Sequence, residues 1–166
     1  MNVLDAIATR KSIRAYQPTP IEPGKLAQLL EAVRQAPSAA NNQPLQFYII
    51  QTEAIKAQLK PVLDDAWLFT APMIVCGCYN KNQSYKDRGR EFGEIDVIIA
   101  MDHLILAATS LGLGTCWVGS FNTAGVRKVL DLPDYIVPVV LTPLGYPAEV
   151  GNTTARKPVN QLFKRV

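Results

Sequence analysis

Gly93-Glu94-Ile95-Asp96-Val97-Ile98-Ile99-Ala100-Met101-Asp102-His103-Leu104-Ile105-Leu106-Ala107-Ala108-Thr109-Ser110-Leu111-Gly112-Leu113 is the longest apolar stretch of the chain, and its reading decides the class. As a membrane span it would place Glu94, Asp96, Asp102 and His103 in lipid. Each such charge near the middle costs roughly 2.5–3.5 kcal/mol. The span is therefore rejected. A helix that is apolar nearly all round belongs in a large core or at a subunit interface. The interface is the expectation here, with Gly112-Leu113-Gly114 ending the helix.

Outward from this helix the chain alternates between elements without a strict rule. Asn2 and Asp5 mark a helix start, with Val3, Leu4 and Ile7 at apolar spacing. Pro18, Pro20 and Pro23 then hold an extended segment. Leu26, Leu29, Leu30 and Val33 form the stripe of a second helix beginning near Pro23. Ser38 to Pro44 is a polar loop. Gln46–Ile50, Pro72–Tyr79, Thr115–Gly119 and Ile136–Leu144 read as strands, the last near a sheet edge because of Pro138. Glu53–Leu63 and Asn122–Leu130 read as helices, and Asn80–Glu91 as a mobile polar connection. The mixture predicts an α+β fold with a central sheet covered by helices. No repeat or linker divides residues 1–166, so one domain is expected.

The chain has 166 residues, 48% hydrophobic and 19% charged, which excludes a disordered or low-complexity class. A net charge of +3 does not by itself mark a nucleic-acid binder. The distribution is more informative. Eleven of the 17 cations fall in three short stretches, 10–14, 81–90 and 156–165. Only the middle one holds an acid, Asp87. Cys76, Cys78 and Cys116 make no disulfide framework, and with His103 the sole histidine a zinc site lacks ligands. Buried inert thiols are expected. The first residues form no signal peptide, so a cytoplasmic location is expected, with no membrane partner.

Familiar catalytic motifs are missing. There is no G-x-S-x-G elbow, no phosphate-binding G-x-x-x-x-G-K-[ST] and no dinucleotide fingerprint. His103, inside the apolar helix, reads as a core or interface histidine rather than a base. What remains is Arg10-Lys11-Ser12-Ile13-Arg14. On an extended stretch Arg10, Ser12 and Arg14 point to one side. Two guanidinium groups and a hydroxyl suit a phosphate monoester, though a solvated basic turn has the same composition.

Arg10-Lys11-Ser12-Ile13-Arg14-Ala15-Tyr16 resembles the first motif of the FMN-dependent nitroreductase family. Ala36-Pro37-Ser38-Ala39-Ala40-Asn41-Asn42-Gln43-Pro44 resembles the second. Leu106-Ala107-Ala108 through Gly112-Leu113-Gly114-Thr115-Cys116-Trp117-Val118-Gly119 resembles the third. Leu144-Gly145-Tyr146-Pro147 and Arg156-Lys157-Pro158 resemble the C-terminal signature. Order and spacing match over nearly the whole chain.

The resemblance implies a nitroreductase-like fold with a mostly antiparallel sheet, and a homodimer holding FMN at the subunit interface. It implies that Arg10, Lys11, Ser12 and Arg14 bind FMN from one subunit. Arg10 and Ser12 would hold the phosphate, and Arg14 would lie nearer the pyrimidine edge. Pro37, Ser38, Ala39, Asn41 and Gln43 match contacts from the other subunit. Val118, Gly119 and Ser120 match the segment beside the flavin, with the Gly119 N–H facing the reactive nitrogen. Arg156, assisted by Lys157, matches the C-terminal phosphate contact. No metal is implied, and no side-chain acid or base is required, since the cofactor carries the chemistry. The implied activity is ping-pong transfer from NAD(P)H through FMN to nitroaromatic, quinone or similar electron-poor acceptors. The alternative is a flavin protein with a specialised role, such as dehalogenation, ring modification or flavin binding without general reductase activity. A third reading is a non-flavin protein whose basic clusters meet an acidic partner. Leu45 replaces the tryptophan, and Ala39 and Ala40 the serine or glycine, of many relatives. The chain is also shorter between Tyr79 and Gly93, where relatives carry helices over the active site. The lysines there, with Arg88 and Arg90, fit either a disordered basic loop or a contact to a phosphate-bearing nicotinamide donor.

Overall fold

The computed structural model describes residues 1–166. In chain order the elements are α1 (Val3–Thr9), α2 (Pro23–Arg34), β1 (Leu45–Ile50), α3 (Glu53–Leu59), β2 (Met73–Asn80), β3 (Lys86–Asp87), β4 (Arg90–Glu91), α4 (Gly93–Ser110), β5 (Gly114–Thr115), α5 (Thr123–Val129), β6 (Ile136–Gly145) and α6 (Val159–Leu162). Short 3-10 turns occupy Ala39–Asn41 and Ala66–Thr70. The main sheet runs β1-β2-β6-β5, and every neighbouring pair is antiparallel. The α+β expectation is met.

β2 explains why the sheet has two cores. Successive strand residues face opposite sides. Met73 and Val75 face one side, where α4 supplies Val97, Met101, Leu104 and Ile105, and α2 supplies Leu29 and Val33. Ile74, Cys76 and Cys78 face the other, against Leu59 of α3 and Val126 of α5. Both faces are covered, so β2 reads as one apolar run rather than an alternation. Cys76 and Cys78 are fully buried with Sγ atoms 3.6 Å apart, and Cys116 is also buried; all three are free. The hydrogen bond with Cys78, and then burial, push the Cys76 thiol well above its ordinary 9.0.

α4 is the long helix expected, over Gly93–Ser110. Val97, Ala100, Met101, Leu104, Ile105 and Ala108 enter the core of its own chain, while Ile98 is exposed. His103 Nδ1 lies 3.2 Å from the Ala32 carbonyl oxygen and serves packing against α2. No helix is long and apolar enough to cross a membrane.

The helix expected from Asn2 is present; its apolar residues Val3, Leu4 and Ile7 face outward, and only the small Ala6 is buried, where α1 meets α4. Three sequence expectations need correction. The strand expected at a sheet edge, β6, lies inside the sheet between β2 and β5. A bulge reconciles this with Pro138. The register shifts at Gly77/Cys78, so Cys78 faces Pro138 and Val139 is passed over. The missing proline N–H therefore falls where the ladder is already interrupted. The strand expected over Thr115–Gly119 is β5 alone plus a bridge at Val118, whose N–H and C=O both bond Leu141 at 2.9 Å. Between them the Cys116 N–H donates to the Thr142 hydroxyl instead of a carbonyl. Finally, the polar 80–91 segment contains a hairpin. Lys86 pairs with Glu91 and Asp87 with Arg90 across Arg88-Gly89, at φ +48° and +77°. Two left-handed residues in a two-residue loop are the turn that matches strand twist.

Candidate functional site

The capping box of α1 starts the construction. The Asp5 N–H donates to Asn2 Oδ1, and the Asn2 N–H donates to Asp5 Oδ2. This fixes a seven-residue helix that stops at Arg10, where the backbone becomes extended. The chain then runs beside β5. Ser12 pairs with Thr115, and the Ile13 N–H donates to the Thr115 carbonyl at 2.9 Å. Ile13 and Tyr16 turn inward. The Tyr16 hydroxyl donates to the Ile13 carbonyl at 2.6 Å, and burial pushes that phenol far above its ordinary value. Two glycines admit this strip. A Cβ at Gly114 would meet Ile13 side-chain atoms at 2.9–3.1 Å, and one at Gly151 would meet Ile13, Lys11 and Ser12 at 2.8–2.9 Å.

With Ile13 pointing inward, its neighbours line a cavity of ≈590 Å³. Its wall is Ile7, Ala8, Arg10, Lys11, Ser12 and Arg14 from the N-terminal strip and Asn152, Thr153, Thr154 and Arg156 from the C-terminal segment. The wall holds four cations and no acid. None of the chain's ion pairs uses any of the four. Like charges placed together without counter-ions repel, so the arrangement favours a polyanionic guest. Arg156 donates to the Thr154 hydroxyl and carbonyl, which folds it back over its own segment. The Arg14 guanidinium lies 5.6 Å from the centre of the Trp67 ring, whose Nε1–H donates to Asp65 at 2.9 Å. Trp67 therefore fixes where that cation stands. The Arg14 backbone N–H donates to Glu149 at 2.8 Å, tying the strip to the C-terminal segment.

Arg10, Lys11, Ser12, Arg14 and Arg156 thus come together. Lys157 is exposed and outside the wall. Pro37, Ser38, Ala39, Asn41 and Gln43 also lie outside it, on the loop between α2 and β1. That loop is tightly set. Ala40, Asn41 and Gln43 have φ of +51°, +55° and +49°. Only asparagine among them tolerates this region readily. The Gln43 N–H donates to Ser38 Oγ at 2.9 Å, and Asn42 Nδ2 donates to the Gln83 carbonyl at 3.2 Å. The Ala39 N–H donates to Asp96 Oδ1 of α4 at 2.9 Å. Val118 is buried at its bridge, while Gly119 and Ser120 are exposed just beyond it. Sequence reasoning missed Asp96, Trp67 and the polar segment Asn152–Thr154. Asp96 had one visible signal, an acid inside a mostly apolar helix, shared with Glu94 and Asp102.

The fold and this strip have counterparts. The model of the Nitroreductase family matches residues 7–69 and 60–146, and the chain belongs to that family. A Methanothermobacter thermautotrophicus protein with the provisional name NADH dehydrogenase/NAD(P)H nitroreductase is 32% identical over 154 residues, covering 90% of this chain and 79% of the other. A Bacillus subtilis protein named FMN reductase [NAD(P)H] is 28% identical over 174 residues, covering 94% and 69%. The crystal structure of a nitroreductase family protein from Clostridium difficile 630 superposes with a TM-score of 0.91 at 29% identity, covering 99% and 98%.

Proposed function

We propose that the protein is a homodimeric, NAD(P)H-dependent FMN oxidoreductase of the nitroreductase type. The observation that carries this is the cavity walled by Arg10, Lys11, Ser12, Arg14 and Arg156, with four cations, a hydroxyl and no acid. That donor set fits the phosphate of FMN, and ≈590 Å³ lies within the usual range for a small-molecule site. FMN held there would supply the redox chemistry between NAD(P)H and nitroaromatic, quinone or similar acceptors.

The chain's own part is to bind and orient. Arg10, Ser12 and Arg156 would hold the phosphate, with Lys157 assisting from outside the wall. Arg14, braced by Trp67, supplies positive charge near the pyrimidine edge, which favours the reduced flavin. Pro37, Ser38, Ala39, Asn41 and Gln43 come from the second subunit. Val118, Gly119 and Ser120 line the flavin, with the Gly119 N–H as donor. Residues 1–166 act as one FMN-binding domain, with the C-terminal segment joining the dimer.

A second copy is supported by surface left bare. Val3, Leu4 and Ile7 of α1 are 55–72% exposed, and Val159, Leu162 and Phe163 are 61–71% exposed. Nothing after Gly151 is buried. A cytoplasmic location belongs to the same reading, in keeping with three free thiols.

The test is the visible spectrum of FMN-reconstituted protein, without oxygen, before and after NADPH and then NADH. Bleaching of bound-flavin bands is expected. Bands that persist with both donors would overturn the reductase reading. Arg10→Ala should weaken FMN by roughly 10- to 150-fold, the loss of one charge-assisted bond of about 1.5–3 kcal/mol. Unchanged affinity would remove Arg10 from the site.

A further inference from the structure

Asp96 is the one carboxylate of the chain that is buried, at 2% exposure. It leaves α4 one turn from the N-terminus, where the helix dipole favours negative charge. Yet the site is poorly furnished for an anion. Asp96 forms no ion pair. Its Oδ2 is buried without a hydrogen-bond partner. Its single bond goes 57 residues back along the chain, to the Ala39 N–H. Ala39 opens the turn whose next residues include Ala40, Asn41 and Gln43, all left-handed and none a glycine. Such a backbone persists only when its surroundings hold it. The bonds within the loop close it on itself, but Asp96 fastens it to the core.

We propose that Asp96 is a positioning residue that sets the 37–43 loop, before any ligand arrives, in the form that meets the flavin of the partner subunit. The proposal rests on the reading of that loop as a flavin contact. It makes the buried carboxylate a determinant of cofactor affinity without contact to the cofactor. A buried charge fastened to one strained loop is otherwise a cost to the fold with no return.

Two variants separate this from a merely structural role. Asp96→Leu removes the acceptor while keeping the branching at Cγ, and Asp96→Asn keeps an acceptor oxygen and removes the charge. Hydrogen exchange is measured on FMN-free protein, and FMN affinity by fluorescence titration. Asp96→Leu should speed exchange at Ala39 and the 40–43 amides about tenfold or more, with α4 and β2 still protected. It should weaken FMN by about tenfold or more. Asp96→Asn should recover most of both. Exchange that rises evenly through α4 and β2, with wild-type FMN affinity in the folded protein, would overturn the inference, as would Asp96→Asn behaving like Asp96→Leu. If the wild-type protein binds no FMN, the underlying reading fails with it; wild-type binding with unchanged variants sinks this inference alone.

Discussion

At the scale of single residues, the loop at 38–43 and the strip at 10–14 show opposite uses of backbone. The strip is extended, and its chemistry follows from alternation. Ile13 goes in, so Ser12 and Arg14 go out. The loop holds alanine and glutamine where glycine is at ease. Ala40→Gly should therefore raise stability by about 1 kcal/mol, because the left-handed penalty disappears. Urea denaturation of the FMN-free protein checks it; a loss of stability would mean that Ala40 makes contacts worth more than the strain. The two cases also mark what a sequence discloses. The alternation around Ile13 is local, so the basic face at 10–14 is legible from five residues. The Asp5 N–H to Asn2 bond is equally local. The Asp96–Ala39 bond joins residues 57 positions apart, and nothing near Asp96 signals it. An acid in an apolar helix argues against lipid, but it does not say which loop it will hold.

At the scale of elements, local rules failed where one element answered another. Pro138 is a sound sign of an edge strand, yet β6 is central because the bulge with β2 absorbs it. The 80–91 segment reads as a polar connection, and its hairpin is hard to see because arginine stands where asparagine or aspartate usually opens a tight turn. The structure answers with Arg88 at φ +48° and with packing beside the strands. The Tyr85 and Phe92 rings stand 5.6 Å apart, and Arg90 lies 5.0 Å from the Phe92 ring centre. The hairpin also touches the 38–43 loop through Asn42 and Gln83, so it borders a segment assigned to the site. β5 is only two residues long, and its value lies in what it admits. Gly114→Ala should destabilise the protein by about 1–3 kcal/mol, since its Cβ would press on Ile13 at 2.9–3.1 Å. Relief of that contact displaces Ile13 and with it the outward set of Ser12. Thermal melts and FMN titration should therefore worsen together. A stable variant with weak FMN would show that the strip moves freely of the core.

At the scale of the whole molecule, the mixture of helices and strands predicts a helix-covered sheet, while its antiparallel order is what the family resemblance implies; periodicity is silent on it because β2 is buried on both faces. The quaternary expectation came from the apolarity of α4. In the fold, much of that apolarity serves α4's own chain, Ile98 of α4 stays exposed, and further bare apolar surface lies on α1 and on residues 152–166. Arg156 sits on that bare segment while Arg10 sits on the core strip, so in the proposed dimer cavity and assembly would be linked. A chain ending at Gly151 should fold, run as a monomer by light scattering, and bind FMN far more weakly. A dimer with full affinity would detach the segment from both roles. The same linkage would make flavin content depend on protein concentration, since mass action favours whichever form binds the ligand. The sealed thiols of the sheet carry one more consequence. Cys76, Cys78 and Cys116 are shut away, and the reactive form of Cys76 is suppressed by its neighbour and by burial. Thiolates, not thiols, attack alkylating reagents. These three side chains stay silent while the sheet is closed and answer only when it opens. The chain thus contains its own stopwatch: with maleimide in such excess that alkylation outruns reclosing, the pace of labelling is the pace at which the molecule comes apart.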